Sequence, residues 1–280
     1  MAEDIFKRYP IIGQRTISTG SVPVPYHVYD GDVLFIGGTG DFAKTQALLQ
    51  NETVKPMQTS DGRALLGIWV CDFANASLGP HHELQLSIFV HAGGHEPSKV
   101  PAHPLAILRL ISLNTTALML CYRLWNNTPT VVAYNRELLG LDARLTNSTI
   151  ATDAASHMRA FSFTDPSSDL ATVCTGKVRD TGRNDPAAGM ALMGALGVMG
   201  MFKAARMPWL SLKVVNPISA AFPRNGSAQT YTNNASQILN LWDTSKDELN
   251  MAHPAYRELG FTPQFVNHAR GTKFIYLAPG

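Results

Sequence analysis

The chain has 280 residues, of which 45% are hydrophobic and 16% charged, and its formal net charge is +2. That length and apolar content suffice for one large domain or two small ones. The near-neutral balance, with no basic cluster, implies neither nucleic acid nor an anionic membrane surface as a partner, and none is expected.

The first ten residues carry no apolar signal core. The three cysteines, Cys71, Cys121 and Cys174, are odd in number and lack paired Cys/His spacing, the pattern of reduced core thiols. Both features predict a cytoplasmic protein. Residues 1–24 read as an irregular lead-in that runs into Val22-Pro-Val-Pro25. A strand over Asp32–Ile36 then runs into Gly37-Gly38-Thr39-Gly40-Asp41, with a helix over Phe42–Leu49 capped by Asp41. A glycine-rich turn between strand and helix is the local context in which backbone amides cradle a pyrophosphate, so an NAD(P)-dependent reductase is one alternative. The following residues lack the strand–helix–strand alternation of a doubly wound sheet, and Asp72 lies too far on. A tight turn and a helix cap account for the glycines, and no cofactor is expected.

Strands are predicted over Leu65–Phe73 and Leu84–His91, separated by the turn at Gly79-Pro80. In the second, Leu84, Leu86, Ile88 and Val90 alternate with Glu83, Gln85, Ser87, Phe89 and His91. This two-residue period defines one apolar face and one mostly polar face. Glu83 either faces solvent or, in a strongly curled sheet, lines a cavity as an acid or base. His81 and His82 are turn histidines or proton-transfer partners of Glu83. With His91, His95 and His103 they match no standard metal-ligand spacing, and no metal is expected.

Ala106–Leu113 fits strand or helix. Leu118–Leu124 and Thr130–Ala133 read as strands, and Asn135–Leu145 as a turn and short helix. Alternation returns at Ser148–Thr152, His157–Phe163, Ala171–Lys177 and Leu210–Val215. The chain closes with a strand at Gln237–Leu241, a short helix near His253–Glu258 and a strand at Lys273–Leu277. Lys177 and Lys213 sit in apolar strands, on a solvent face or as inward amines. The uncharged run Pro186–Phe202 is short for a membrane span and rich in Gly, Ala and Met. It reads as a buried helix, a lid over an apolar substrate, or the subunit interface of a homo-oligomer. No fixed period repeats. Strands without regularly intervening helices predict a mainly β (α+β) protein, an antiparallel barrel or sandwich with a few short helices.

Four stretches together resemble the acetoacetate decarboxylase superfamily. Pro25-Tyr-His, the next strand and Gln46–Pro56 are similar to the family's opening strand and helix. Gly79-Pro-His-His-Glu-Leu-Gln-Leu-Ser87 is similar to its Gly-Pro-Tyr-x-Glu strand. Asn135-Arg-Glu-Leu-Leu-Gly140 resembles its Gly-Arg-Glu-x-x-Gly segment, and Asp247–Leu277 its closing helix and strand. The resemblance covers residues 25–280 as a single domain, with 186–206 an apolar helical insertion or lid. It implies a curled antiparallel sheet forming a cone-shaped barrel over an apolar pocket, and a lysine that forms a Schiff base with a keto acid. Here the chain departs: Leu141-Asp142-Ala143-Arg144 stands where the family has Phe/Tyr-Pro-Lys-Lys. The imine lysine maps onto Ala143 and its neighbouring cation onto Arg144. Alanine forms no imine.

The resulting expectation is an enzyme of specialised metabolism that acts on an apolar keto, enol or polyketide-like small molecule. Its chemistry would be non-covalent acid/base catalysis: a lyase, cyclisation or dehydration, or isomerisation. Glu83 would be the general acid/base, Arg136 or Arg144 would hold a carboxylate or enolate, and Tyr134 would donate to the same oxygen. His82, Gln85, Ser87, Phe89 and Glu137 would contact the substrate. The other alternative is a non-catalytic protein that keeps the cone as a ligand pocket.

Overall fold

A computed structural model describes residues 4–92, 99–113, 117–167, 172–206, 210–218 and 223–277. The chain opens with a single turn of helix, α1 (Ile5–Arg8), and a hairpin, β1 (Gly13–Ile17) with β2 (Gly20–Val24), where an irregular lead-in was expected. β3 (Tyr26–Asp41), α2 (Phe42–Leu48), β4 (Val54–Pro56), β5 (Arg63–Ala76) and β6 (His81–Ala92) follow. The ambiguous segment is helical, α3 (Ala106–Leu113), and leads to β7 (Leu118–Asn126), α4 (Pro129–Glu137), β8 (Ala143–Leu145), β9 (Asn147–Asp153), β10 (Met158–Thr164) and β11 (Thr172–Arg179). The last part comprises α5 (Pro186–Arg206), β12 (Leu210–Val215), β13 (Ser227–Asn233), β14 (Ser236–Leu241), β15 (Glu248–Asn250), α6 (Pro254–Arg257), β16 (Thr262–Arg270) and β17 (Lys273–Leu277). The protein is thus mostly β with a few short helices, as the sequence predicts. Ala171 and His95 lie outside the described residues.

Strand pairing closes on itself. β3 pairs with β5, β5 with β6, β6 with β7, β7 with β12, β12 with β13, β13 with β17, and β17 again with β3. All are antiparallel except β7 with β12. β16 extends the sheet from the far half of β3 and carries β14. A separate sheet, ordered β15-β11-β10-β9, covers the outside of the ring.

Both faces of β3, β5 and β6 are therefore largely buried, and their alternation sorts side chains into two cores. Val33, Phe35, Leu65, Cys71, Phe73 and Phe89 point inward. Leu34, Ile36, Leu66, Ile68, Val70, Leu84, Leu86 and Ile88 point outward, against Phe161, Phe163, Val173, Cys174 and Val178 of the outer sheet. All three cysteines are free and buried. A polar network also crosses between the sheets. Arg159 on β10, 4% exposed, pairs with Asp32 at 3.1 Å, and one of its N–H groups donates to His268 Nε2 at 2.9 Å. His268 Nδ1 in turn lies 3.1 Å from the buried Asp180, which also receives Arg270.

Two expectations are corrected. Thr130–Ala133 is not a strand. Pro129 starts a helix there, since its missing N–H is unneeded in a first turn, and burial of Val131, Ala133 and Tyr134 outweighs the β-branched propensity of the segment. The glycine run is not a turn either. Gly37, Gly38 and Gly40 lie inside β3, paired with β5 on one side and, for Gly37 and Gly38, with β16 on the other. Their backbone is committed to the sheet, not arranged as a phosphate cradle. Glycine is required because neighbours approach closely: a Cβ on Gly37 would lie 2.2 Å from Phe265 Cζ, and one on Gly38 2.1 Å from the Thr262 carbonyl oxygen. Asp41 does cap α2, accepting from the Lys44 N–H at 2.9 Å.

The run 186–206 is helical. α5 packs on α3 over one end of the ring and breaks at Gly197, where φ is 65°. Arg109 of α3 donates to the Ala195 carbonyl just before the break. Met190, Met193, Met199 and Phe202 remain exposed on its outer side. No helix of the described residues is long and apolar enough to cross a membrane.

Replacement Gly38→Ala is expected to destabilise the protein by ~3 kcal/mol or more, because the obstructing atom is backbone and β16 must shift. Urea unfolding measures this. An unchanged midpoint would contradict the close-approach account of the glycine run.

Candidate active site

The inner face of the ring and the α3/α5 roof enclose a cavity of about 560 Å³, well within the range of small-molecule sites. Phe35, Trp69, Phe73 and Phe274 supply aromatic walls, Leu108, Ile111, Leu192 and Leu196 the roof, and Asn184, Gln237 and Asn267 a polar rim. The exposed Asn184 and Gln237 mark its open end; the buried Cys71, Gln85 and Tyr276 mark its depth.

Glu83 lies in the cavity wall because β6 alternates and its odd-numbered side chains face inward. Opposite it on β5 is Cys71, and opposite it on β7 is Asn126. Asn126 Nδ2 donates to Glu83 Oε2 at 3.0 Å. Burial raises the Glu83 pKa from 4.5 to about 7, the Asn126 hydrogen bond offsetting part of the effect. A carboxyl group with that proton affinity is populated in both forms near neutrality, so it can take a proton from a ligand and return it. Nearby acids stay protonated. Burial, and then the charge of Glu83, raise Cys71 well above the usual thiol value, so it is no ready nucleophile. Tyr276, also in the cavity wall, is raised by burial, Cys121 and Glu83.

The other sequence candidates divide sharply. Gln85 reaches the cavity and donates to Ser87 Oγ at 2.6 Å, while Ser87 and Phe89, on the same face, lie fully buried in the inner core. His81 turns to Tyr26. Its Nδ1 is 2.8 Å from the Gly79 carbonyl and must donate, leaving Nε2 to accept the Tyr26 hydroxyl at 2.8 Å. Burial lowers its pKa to about 4, so it is neutral. His82 points outward, 2.9 Å from Ser148 Oγ and 3.5 Å from Asp72, and pins the two sheets. Tyr134 is fully buried beside Tyr26, behind the cavity wall, and burial pushes its phenol up to about 12.

Arg136, Glu137 and Arg144 are exposed and do not line the cavity. Arg144 pairs with Asp142 at 3.2 Å. Glu137 accepts from Ser18 N at 3.0 Å, tying α4 to the first hairpin. Arg136 and Glu137 are the last two residues of α4 and stand exposed at its end, after the buried Ala133, Tyr134 and Asn135. Ala143 is buried in the inner core. Lys177 and Lys213 are exposed; the neighbours Leu212 and Val214 line the cavity, so Lys213 points away from it. Among the described residues, no group of three or more His, Cys, Asp or Glu could hold a metal ion. Sequence reasoning missed Trp69, Asn126, Phe274 and Tyr276. Trp69 shares the inward alternation of β5, which would have marked it.

No family model matches the sequence, and no curated protein matches it. Solved structures do resemble it. Acetoacetate decarboxylase from Legionella pneumophila subsp. pneumophila str. Philadelphia 1 superposes with a TM-score of 0.58 at 12% identity, over 98% of this chain and 93% of that one. A second acetoacetate decarboxylase gives 0.51 at 12% identity, over 91% and 87%. The enduracididine biosynthesis enzyme MppR, complexed with pyruvate, gives 0.50 at 9% identity, over 91% and 88%. The chain therefore has the acetoacetate decarboxylase fold. At these identities the likeness shows the fold and carries no residue roles.

The raised Glu83 pKa makes a stability prediction. Below about 4.5 the carboxyl is protonated in both folded and unfolded chains. As pH rises to about 7 the unfolded chain loses this proton first, so folding is progressively penalised. Glu83→Gln should accordingly be more stable than wild type at pH 8, by up to ~3 kcal/mol, with the gain disappearing by about pH 4. Denaturation at the two pH values checks it; an equal difference at both would mean that Glu83 ionises normally.

Proposed function

We propose that the protein is an enzyme of specialised metabolism that transfers protons on a largely apolar keto, enol or polyketide-like substrate without forming an imine. Glu83 is the general acid/base: above its pKa it removes a proton next to a carbonyl, and the resulting acid reprotonates the enolate or assists loss of a hydroxyl. Isomerisation, cyclisation with dehydration and lyase chemistry share this step. The observation that carries the reading is a carboxyl group titrating near 7 in the wall of an apolar, drug-sized cavity. Two further facts support it. Position 143 is alanine, and no lysine lines the cavity among the described residues. The Tyr276 hydroxyl, in the same wall and without a hydrogen-bond partner among the described residues, is a donor suited to a ligand oxygen. That the fold hosts enzymes, MppR with bound pyruvate among them, agrees with small carbonyl compounds as ligands.

The test is deuterium exchange at the α-carbon of apolar aryl ketones such as α-tetralone, followed by NMR in D2O. Wild-type protein should accelerate exchange, with a rate rising with pH through about 7 as Glu83 ionises. Glu83→Gln should lower the rate by roughly 100-fold or more while still binding the ketone. Undiminished exchange in this variant would remove Glu83 from the mechanism. Binding by wild type with no exchange across the ketone series would favour the non-catalytic ligand-binding alternative. Separately, borohydride reduction with a keto acid should leave no adduct on lysine.

A further inference from the structure

We infer that Asn126, itself held by Asn135, is a positioning residue that orients the Glu83 carboxylate and sets its proton affinity. The inference rests on Glu83 being the proton-transfer group proposed above.

The first observation is a β-bulge. Along β7, Cys121 faces the inner core and Tyr122 the outer one. The pairing with β6 then slips: Ser87 is opposite Cys121, but Leu86 is opposite Arg123, so Tyr122 has no counterpart. The extra residue reverses the alternation. Leu124 turns inward, Trp125 outward, and Asn126 comes to face Glu83 across the strands. Uninterrupted alternation from Cys121 would instead send Arg123 and Trp125 inward and Asn126 outward. An arginine two pairs away from Glu83 and a tryptophan in the cavity would have remade the site. The displaced side chains are accommodated outside: the Arg123 guanidinium lies 4.2 Å from the centre of the Tyr122 ring and pairs with Asp142 at 3.2 Å. A bulge that re-aims one side chain at a site is a recurrent device in sheets.

The second observation is a directed chain of hydrogen bonds. Asn135 Nδ2 donates to Asn126 Oδ1 at 2.9 Å, and Asn126 Nδ2 donates to Glu83 Oε2 at 3.0 Å. Asn126 is fully buried and Asn135 is 5% exposed. With its carbonyl occupied by Asn135, the Asn126 amide presents its NH2 group to the carboxylate. Both backbones are also tied, Thr146 N to the Asn126 carbonyl at 3.0 Å and Leu141 N to the Asn135 carbonyl at 2.9 Å. Oε2 is thus engaged and Oε1 is the oxygen left to exchange a proton with a ligand. The Asn135–Gly140 segment consequently reaches the site through Asn135 and not through its charged residues.

Donation from Asn126 favours the ionised form of Glu83, so its removal must raise the proton affinity. The experiment is a carboxyl carbon-13 NMR titration of the full chain, with the Glu83 resonance identified by its loss in Glu83→Gln. Asn126→Leu should move the Glu83 midpoint upward by roughly half a pH unit or more, and the acid limb of the ketone-exchange profile should move with it. Asn135→Leu, which only frees the Asn126 amide to turn, should move both in the same direction by less. If Asn126→Leu does not fold, Asn135→Leu decides. A folded variant with an unmoved midpoint, even one of lowered Tm, overturns the inference, since a merely structural asparagine would behave that way. A moved midpoint in a protein that exchanges no ketone supports the coupling and condemns the proposed reaction instead.

Discussion

A carboxyl group on the inner face of a closed ring of strands is the constraint on which the site depends. Because the outer sheet covers the ring, both faces of β3, β5 and β6 must be filled, and alternation assigns each side chain to one of two cores. A charge in the inner set cannot be relieved by turning the strand over, since a one-residue slip would exchange the cores wholesale. Glu83 therefore stays where it is poorly hydrated. The same packing explains the glycines of β3: where β16 and its Phe265 press on the strand, only hydrogen fits. The glycine run that reads as a tight turn is a packing requirement of the sheet that holds the carboxylate.

The period of β6 was legible in the sequence, including the face that carries Glu83, Gln85, Ser87 and Phe89. Its environment was not, because a polar residue on an alternating strand looks the same against solvent and against a cavity. The helices were legible where caps or punctuation marked them, as at Asp41. α4 was misread because Thr130, Val131 and Val132 favour strands, and the opposing signal, Pro129 at the first helical position, is a single residue. β13 and β16 were missed for another reason. β13 is polar, and β16 has Pro263 at its second position and carries a bulge, so neither shows a clean two-residue period.

The candidate site was legible in Glu83 and Gln85 of β6 and in little else. Arg136 and Glu137 stood out through the segment that resembles the family's Arg-Glu-x-x-Gly, and Arg144 through the lysine position it occupies, yet all three are exposed. Asn126 could not be found by periodicity, because the bulge at Tyr122 removes the regularity on which that argument relies. The distance in sequence between Glu83, Asn126 and Asn135 hides a chain of two hydrogen bonds that the strand register makes short.

The arrangement also explains why a carboxylate here is suited to proton transfer. Burying an unpaired carboxylate costs several kcal/mol, which with no compensation would keep it protonated far above neutrality. A hydrogen bond to a charged group returns about 1.5–3 kcal/mol. One such bond, from Asn126, leaves a pKa of about 7. An arginine in contact would overcompensate and produce a permanently ionised, weakly basic carboxylate. Arg136 and Arg144 are exposed and Arg123 turns outward to Asp142, so none of these three arginines does so here. One neutral donor, held in place by a second amide, is a partial correction of the burial penalty, and a partial correction is what general acid/base chemistry requires.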